Sequence, residues 1–172
     1  FYPSQIGKYF VYSQKRNFIL DIFEVKSNTI YVDSQCTLQD AIENSSEQII
    51  KVINDFAITN IQYTIENAIT LDLNSKTITS SSEPTCTVKN QSTIIGDGVI
   101  ESSEKDNLFS ISGSEGNLII ESGSFTAKNT IIDCQSGNVL IKGGYFESKI
   151  NQSTMINKGD NGNVIIVEGT FN

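Results

Sequence analysis

The chain has 172 residues, of which 12 are basic and 20 are acidic, so its formal net charge is −8. Few Lys and Arg residues argue against binding to nucleic acid, which needs clustered positive charge, and the lack of a run of about 18 apolar residues argues against membrane insertion. Many Ile, Val, Asn, Ser, Thr and Gly residues predict short strands joined by tight turns, rather than a helical bundle or a disordered chain.

The first 34 residues contain three strand-like stretches, at 8–13, 18–25 and 29–33. They precede the repeat described below, so we expect residues 1–34 to form an N-terminal β extension or an assembly segment. Three roles stay open for it: additional capping, a separate small β unit, or a strand lent to a neighbouring subunit. We expect residues 35–172 to form one domain that is truncated at its C-terminus, and the chain to be a processed form or a fragment.

A short helix is predicted over residues 37–44, ahead of the repeats. Thr37-Leu38-Gln39-Asp40 resembles a capping box, and Ala41-Ile42 follow it on one helix face. Residues 48–53 read as the first strand of a stack. Because the open end of a stack of strands exposes its core, we expect the helix to cap it.

An internal repeat is the main signal in the sequence. Segments 116–125, 137–146 and 162–171 share one template, namely Gly-Asn, three aliphatic residues, two variable residues, Gly, one variable residue and Phe. Weaker copies start at residues 92 and 69. The late Gly position falls at 76, 98, 123, 144 and 169, so the steps are 22, 25, 21 and 25 residues.

This period predicts one turn of a β-solenoid, in which each coil holds three short strands and three turns. A leucine-rich repeat would need a Leu-x-x-Leu-x-Leu frame, which is absent, and a sandwich would not repeat a ten-residue template. The expected fold is therefore all-β, a right-handed parallel β-helix (β-solenoid) with a short N-terminal capping helix.

The repeat also predicts two structural columns. The Gly-Asn pairs are expected at one corner of every coil, where Asn117, Asn138 and Asn163 would form a ladder in the turns. The last template position is expected to point inward, so that the three phenylalanines fill the coil as a core aromatic column. They are Phe125, Phe146 and Phe171.

A second strand is expected about ten residues after each late Gly. Alternation places Cys86, Phe109 and Ile132 in one inward column, and Val88, Ile111 and Cys134 in the next. The two thiols then lie too far apart for a disulfide. Cys36 completes an odd set of three with no CxxC spacing and no His, so we expect buried free thiols and neither a zinc site nor any cofactor.

The order Thr37-Leu38-Gln39-Asp40-Ala41-Ile42, then residues 69–78, then Thr93-Ile94-Ile95-Gly96-Asp97-Gly98, resembles pectate-lyase-like right-handed parallel β-helix proteins. The likeness covers about residues 36–172 and is closest to the non-enzymatic branch of repetitive surface and fibre proteins. It implies a fold and not an activity, since this fold hosts lyases, hydrolases and inert stalks.

The residues give little support to catalysis. Enzymes similar in fold use clustered Asp residues with a Lys or Arg base, or Asn-x-Asp, Asp-Asp and Gly-His-Gly motifs. This chain has one Arg, Arg16, no His and none of these three motifs. Asp72 and Asp97 are the best pair of carboxylates for glycoside hydrolysis, but exposed strand or turn carboxylates explain them as well. No catalytic residue, cofactor or metal ligand is assigned.

Three sequons mark Asn44, Asn90 and Asn151 as candidate glycosylation sites, relevant only in a eukaryotic secretory pathway. An Asn- and Ser-rich chain also produces such triplets by chance.

The expected function is a non-catalytic structural or adhesive β-solenoid module of a secreted, cell-surface or virion fibre protein, self-assembling through its N-terminal strands. Its expected partners are other copies of itself, or surface carbohydrate or protein. The alternative is a polysaccharide-binding or polysaccharide-degrading β-helix whose active residues lie outside this chain.

Overall fold

The structure is a computed structural model that describes residues 7–13, 18–25, 28–44, 48–102, 104, 106–150 and 153–172, with side chains from residue 28 onward. Strands are numbered in chain order. β1 (Gly7–Ser13) and β2 (Phe18–Val25) pair with each other in an antiparallel two-stranded sheet of their own. The two strand-like stretches predicted there are confirmed.

The helix α1 (Gln35–Asn44) begins two residues earlier than predicted. Its N-cap is Ser34, whose Oγ accepts a hydrogen bond from the Thr37 amide at 3.4 Å. Thr37 Oγ1 accepts in turn from the amides of Asp33 and Ser34 at 3.0 and 3.1 Å. Thr37 is therefore the third helical residue and not the cap, so the capping box starts at Ser34.

The described strands after β2 form a parallel β-solenoid of about six turns with three faces, which confirms the predicted β-solenoid. The first face holds β3 (Thr29–Val32), β4 (Gln48–Val52), β7 (Ile69–Asp72), β10 (Gln91–Ile95), β13 (Asn117–Ile120) and the C-terminal parts of β15 (Ile132–Ile141) and β17 (Ile156–Ile166). The second face holds β5 (Phe56–Ile58), β8 (Thr77–Ser80), β11 (Val99–Glu101), β14 (Ser124–Ala127), β16 (Tyr145–Ser148) and β18 (Thr170–Phe171). The third face holds β6 (Tyr63–Ile65), β9 (Cys86–Val88), β12 (Phe109–Ile111) and the N-terminal parts of β15 and β17.

The stack starts earlier than the repeat suggested. β3 pairs in parallel with β4 on the first face, so it belongs to the solenoid and not to an extension outside it. The predicted first strand, β4, is the second of its column. Val32 of β3 is fully buried, and α1 buries Leu38, Ala41 and Ile42. The contacts of α1 are with β3, β4, β5 and β6, which places it over the first coils.

Coil-to-coil register follows the late Gly position. The amides of Val99, Ser124, Tyr145 and Thr170 each donate to the carbonyl that ends the corner one coil earlier, at Lys76, Gly98, Gly123 and Gly144. The predicted steps of 22, 25, 21 and 25 residues are therefore the steps of the coil. Gly123, Gly144 and Gly169 have φ of 113°, 108° and 153°, a conformation that L side chains rarely adopt.

The three corners differ in length. Between the first and second faces, three residues separate β13 from β14, β15 from β16, and β17 from β18. Between the second and third faces, four residues separate β14 from β15, but seven separate β11 from β12 and β16 from β17. The longer coils therefore take up much of their extra length at the second corner.

Candidate functional surfaces

The row of asparagines lies on the outside of the first face. Asn117, Asn138 and Asn163 occupy equivalent positions on β13, β15 and β17. Asn163 Nδ2 donates to Asn138 Oδ1 at 3.3 Å, so the amides of these two coils are linked. Leu118 and Val139, the next residues along, point into the core.

The Gly-Asn pairs lie where the chain passes from the third face to the first, but only the first pair follows a turn, in which the Gly116 amide donates to the Gly113 carbonyl at 3.2 Å. Asn117 opens a strand, whereas Asn138 and Asn163 lie inside β15 and β17, which run on from the third face to the first. Of the three preceding glycines only Gly137 has a positive φ, 85°. Close backbone packing explains the glycines instead, because a Cβ at Gly116 would lie 2.9 Å from the Val88 carbonyl oxygen.

The phenylalanines stack inside the second face. Phe125 and Phe146 are fully buried with ring centroids 5.2 Å apart, and the Phe146 and Phe171 centroids are 4.8 Å apart with nearly parallel rings. Phe109 of the third face meets Phe125 edge-on at 5.8 Å. The column faces the interior, and Phe125 and Phe146 have no exposed surface that an external sugar could contact.

The two candidate carboxylates belong to neighbouring coils, in which Asp72 pairs in register with Ile95, two residues before Asp97, and they have different surroundings. Asp72 Oδ2 lies 3.1 Å from Lys51 Nζ, and Asp72 Oδ1 accepts a hydrogen bond from the Asn74 amide at 2.9 Å. Asp97 is an exposed residue in the corner before β11. The Asp72 carboxylate thus holds a cross-coil ion pair and a turn.

The cysteines divide into one exposed and two buried thiols. Cys86 and Cys134 are buried, in the two inward columns predicted for them, because Cys86 aligns with Phe109 and Ile111 aligns with Cys134. Burial raises the pKa of the Cys86 thiol from 9.0 to about 12. Cys36 is exposed, which corrects the prediction that all three are buried, since the early start of α1 places it in the first helical turn.

An apolar cavity of about 40 Å³ lies inside the first coils beneath α1. Leu38, Ile58, Tyr63 and Phe109 contribute to its lining, together with Ser92, whose Oγ is buried and has no hydrogen-bond partner among the described residues. The accessible surface of the lining is apolar, so a buried water, which commonly makes about three hydrogen bonds, would lack its partners there. This cavity is therefore a packing gap and not a polar ligand site.

The sequon asparagines have different surroundings. Asn90 Nδ2 donates to the Glu66 carbonyl at 3.0 Å, and the side chain of Ser92, the third residue of that sequon, is buried. Asn44 is exposed at the end of α1, where its Nδ2 donates to the Asp40 carbonyl at 2.9 Å. Asn151 lies outside the described residues.

Two further rows lie beside the asparagines on the outside of the first face, and the sequence reading did not single them out. We name three rows on this surface and follow each across the last four coils; in the coils before these, the third row continues as Asp72 and Lys51. The amide row is Gln91, Asn117, Asn138 and Asn163; the aliphatic row is Thr93, Ile119, Leu140 and Ile165; the mixed row is Ile95, Glu121, Lys142 and Val167.

Strand alternation could have revealed the aliphatic row. Ile119 lies between Leu118 and Ile120, which are both fully buried, so the middle residue of the three aliphatics must face outward. Ile165 and Val167 are 51% and 70% exposed. In the mixed row, Lys142 Nζ lies 3.0 Å from Glu121 Oε1 in the next coil.

Comparisons with known proteins leave the resemblance to pectate-lyase-like proteins as an expectation. In the part of the chain that the structure describes, no helix is long and apolar enough to cross a membrane. The sequence matches no family model, no curated protein and no solved structure.

Proposed function

We propose that the chain is a non-catalytic structural or adhesive β-solenoid module of a secreted, cell-surface or virion fibre protein. The supporting observation is that many of its polar side chains pair with residues one coil away. Ion pairs join Lys51 to Asp72, Glu66 to Lys89 and Glu121 to Lys142, each between neighbouring coils.

The amides and the third face follow the same pattern. Asn163 contacts Asn138, and Asn157 Nδ2 donates to Asp133 Oδ1 at 2.8 Å, again one coil apart. Each of these groups contacts a partner one coil away, which keeps successive coils in register. Exposed pairs add at most about 1 kcal/mol each, so their main effect is on register and surface, above a core that supplies the stability.

An assay for polysaccharide cleavage tests the proposal. The purified chain is incubated with acidic and neutral polysaccharides, with and without added calcium, and reducing and unsaturated ends are measured. We expect no release above a buffer control. Release that disappears in Asp72→Asn or Asp97→Asn would overturn the non-catalytic proposal, and these variants also exclude a contaminating enzyme as its source.

Binding without cleavage distinguishes adhesion from a purely structural role. Affinity electrophoresis through gels containing the same polysaccharides measures retardation of the folded chain. Retardation with no released ends supports an adhesive module, whereas free migration in every gel, with no ends released, leaves the structural role as the proposal.

A further inference from the structure

We propose that two copies of this chain associate through the outside of the first face, about a twofold axis parallel to the strands that passes midway between the coils of Glu121 and Lys142. This deepens the proposed function by naming the partner as a second copy. The contact surface consists of the amide, aliphatic and mixed rows defined above.

The twofold axis pairs each row with itself, coil order reversed. Glu121 of one copy then faces Lys142 of the second copy, and the reciprocal pair forms at the same time. In the same row, Ile95 faces Val167 at both ends of the contact. Both kinds of position are therefore matched, charge to opposite charge and aliphatic to aliphatic.

The other two rows match under the same operation. Ile119 faces Leu140 of the second copy, which buries the outward aliphatic pair, and Asn117 faces Asn138, whose amides can both donate and accept. A twofold axis passing through either coil would instead place Glu121 or Lys142 opposite its own copy. The charge pattern thus places the axis between two coils. Lys51 and Asp72 form a second such pair in this row, but the Asp72 side chain is only 17% exposed and also accepts a hydrogen bond from the Asn74 amide, so the half-exposed Glu121 and Lys142 are the better pair.

Local charge also favours this surface. The chain carries a net charge of −8, which opposes self-association in general. The three rows contain one acidic and one basic residue, Glu121 and Lys142, so the surface is neutral where the copies meet. Sheets that pack face to face lie about 10 Å apart, a spacing that side chains such as Leu140 and Ile165 fill.

The strength of the contact follows from its size. Four coils spaced about 4.8 Å apart, and strands of about five residues at about 3.3 Å each, give a flat footprint on the order of 300 Å² per copy. Stable interfaces bury about 800 Å² per partner, so the dimer is expected to be reversible and weak, with a Kd between micromolar and millimolar.

Sedimentation equilibrium of the full chain over a concentration series tests the proposal. The wild type should show a reversible monomer–dimer equilibrium. Glu121→Lys and Lys142→Glu each place like charges opposite one another in the dimer. The dimer dissociation constant of each variant alone should therefore rise by at least about tenfold. An equimolar mixture of the two variants should recover the wild-type affinity, because each introduced charge then faces its opposite.

The mixture separates the dimer from effects on the fold, since the cross-coil ion pair is broken in both variants and stays broken when they are mixed. Glu66→Lys and Lys89→Glu are the matched controls, because they break a similarly exposed pair elsewhere and should leave the dimer constant unchanged. A chain that stays monomeric at about 1 mM, the upper limit set by the footprint, overturns the proposal.

A dimer that responds alike to both sets of variants, or a mixture that does not recover affinity, also overturns it. Either outcome leaves the cleavage assay unaffected, so failure of this contact and failure of the non-catalytic proposal are distinguishable.

Discussion

Glycines of similar backbone conformation have very different surroundings in this chain. Gly113 and Gly137 have φ of 86° and 85°. A Cβ at Gly113 would meet no atom within 4 Å, whereas one at Gly137 would overlap the carbonyl oxygen of Gly116 in the neighbouring coil. The pair therefore separates backbone strain from steric exclusion within one protein.

Gly137→Ala should destabilise the fold much more than Gly113→Ala. The control variant bears only the strain of a positive φ, about 1 kcal/mol, while Gly137→Ala must also push two coils apart, adding about 2 kcal/mol or more. Urea unfolding measures both free energies. Equal losses would mean that the coils separate locally without resistance.

Stability should fall at alkaline pH because of the buried thiol. Cys86 keeps its proton in the folded chain up to a pKa of about 12, while in the unfolded chain it ionises near 9.0. The unfolded state then binds fewer protons, so the free energy of unfolding decreases from about pH 9 to about pH 12, by up to about 1.4 kcal/mol per pH unit. Tyr63, whose pKa is raised to about 12 mainly by burial, acts in the same direction above pH 10.

Urea midpoints across this pH range measure the slope, and Cys86→Ala should make it shallower. Thiol labelling provides the control for burial, because Cys36 should react in the folded chain while Cys86 and Cys134 react only after unfolding. An unchanged slope in Cys86→Ala would contradict the assignment.

At the scale of elements, the helix shows how far the sequence could lead. Its existence and its inward residues, Ala41 and Ile42, followed from the apolar pattern. Its start did not, because Ser34 and Thr37 both have capping side chains, and only the structure shows that Thr37 reaches back to the amides of Asp33 and Ser34. Because the helix starts at Gln35, Cys36 lies in its first turn, where the thiol is exposed.

Thr37→Val should lower the free energy of unfolding by about 1 kcal/mol, since valine keeps the shape but removes the acceptor for two amides at the start of α1. Thr79→Val, at an exposed position of β8, is the matched control and should change stability by less than about 0.5 kcal/mol. Thermal unfolding compares the two. A larger loss in Thr79→Val would contradict the capping role.

At the scale of the whole molecule, the coil register was predictable because glycine marks a corner that needs positive φ in three successive coils. The place of β3 was not, because Thr29–Val32 carries no glycine and no template, and only its pairing with β4 reveals it. Two of the three Gly-Asn pairs lie inside continuous strands and not in a turn, and the sequence could not show this because close packing against a neighbouring coil also favours glycine. Function was not predictable at this level, since the solenoid fold is shared by enzymes and stalks.

Position along the stack should determine how much a phenylalanine contributes. Phe146 is fully buried between Phe125 and Phe171, while Phe171 stacks on one neighbour and is partly exposed. Phe146→Ala should cost about 3–5 kcal/mol, and Phe171→Ala about half as much, because only one coil interface is lost. Urea unfolding of both variants checks this, and equal losses would contradict a nearest-neighbour stack.

The unequal corners have a consequence for how such a chain can change. The connections between the first and second faces vary little, with four residues after β7 and three after β13, β15 and β17, whereas the link from Ser148 to Ile156 is three residues longer than the link between Ala127 and Ile132. Foreign peptides grafted at that link would be displayed at one edge while the ladders on either side keep their pairing. Insertions at the corner between the second and third faces can therefore change the sequence and length of that edge, while the strand pairing in the rest of each coil is kept.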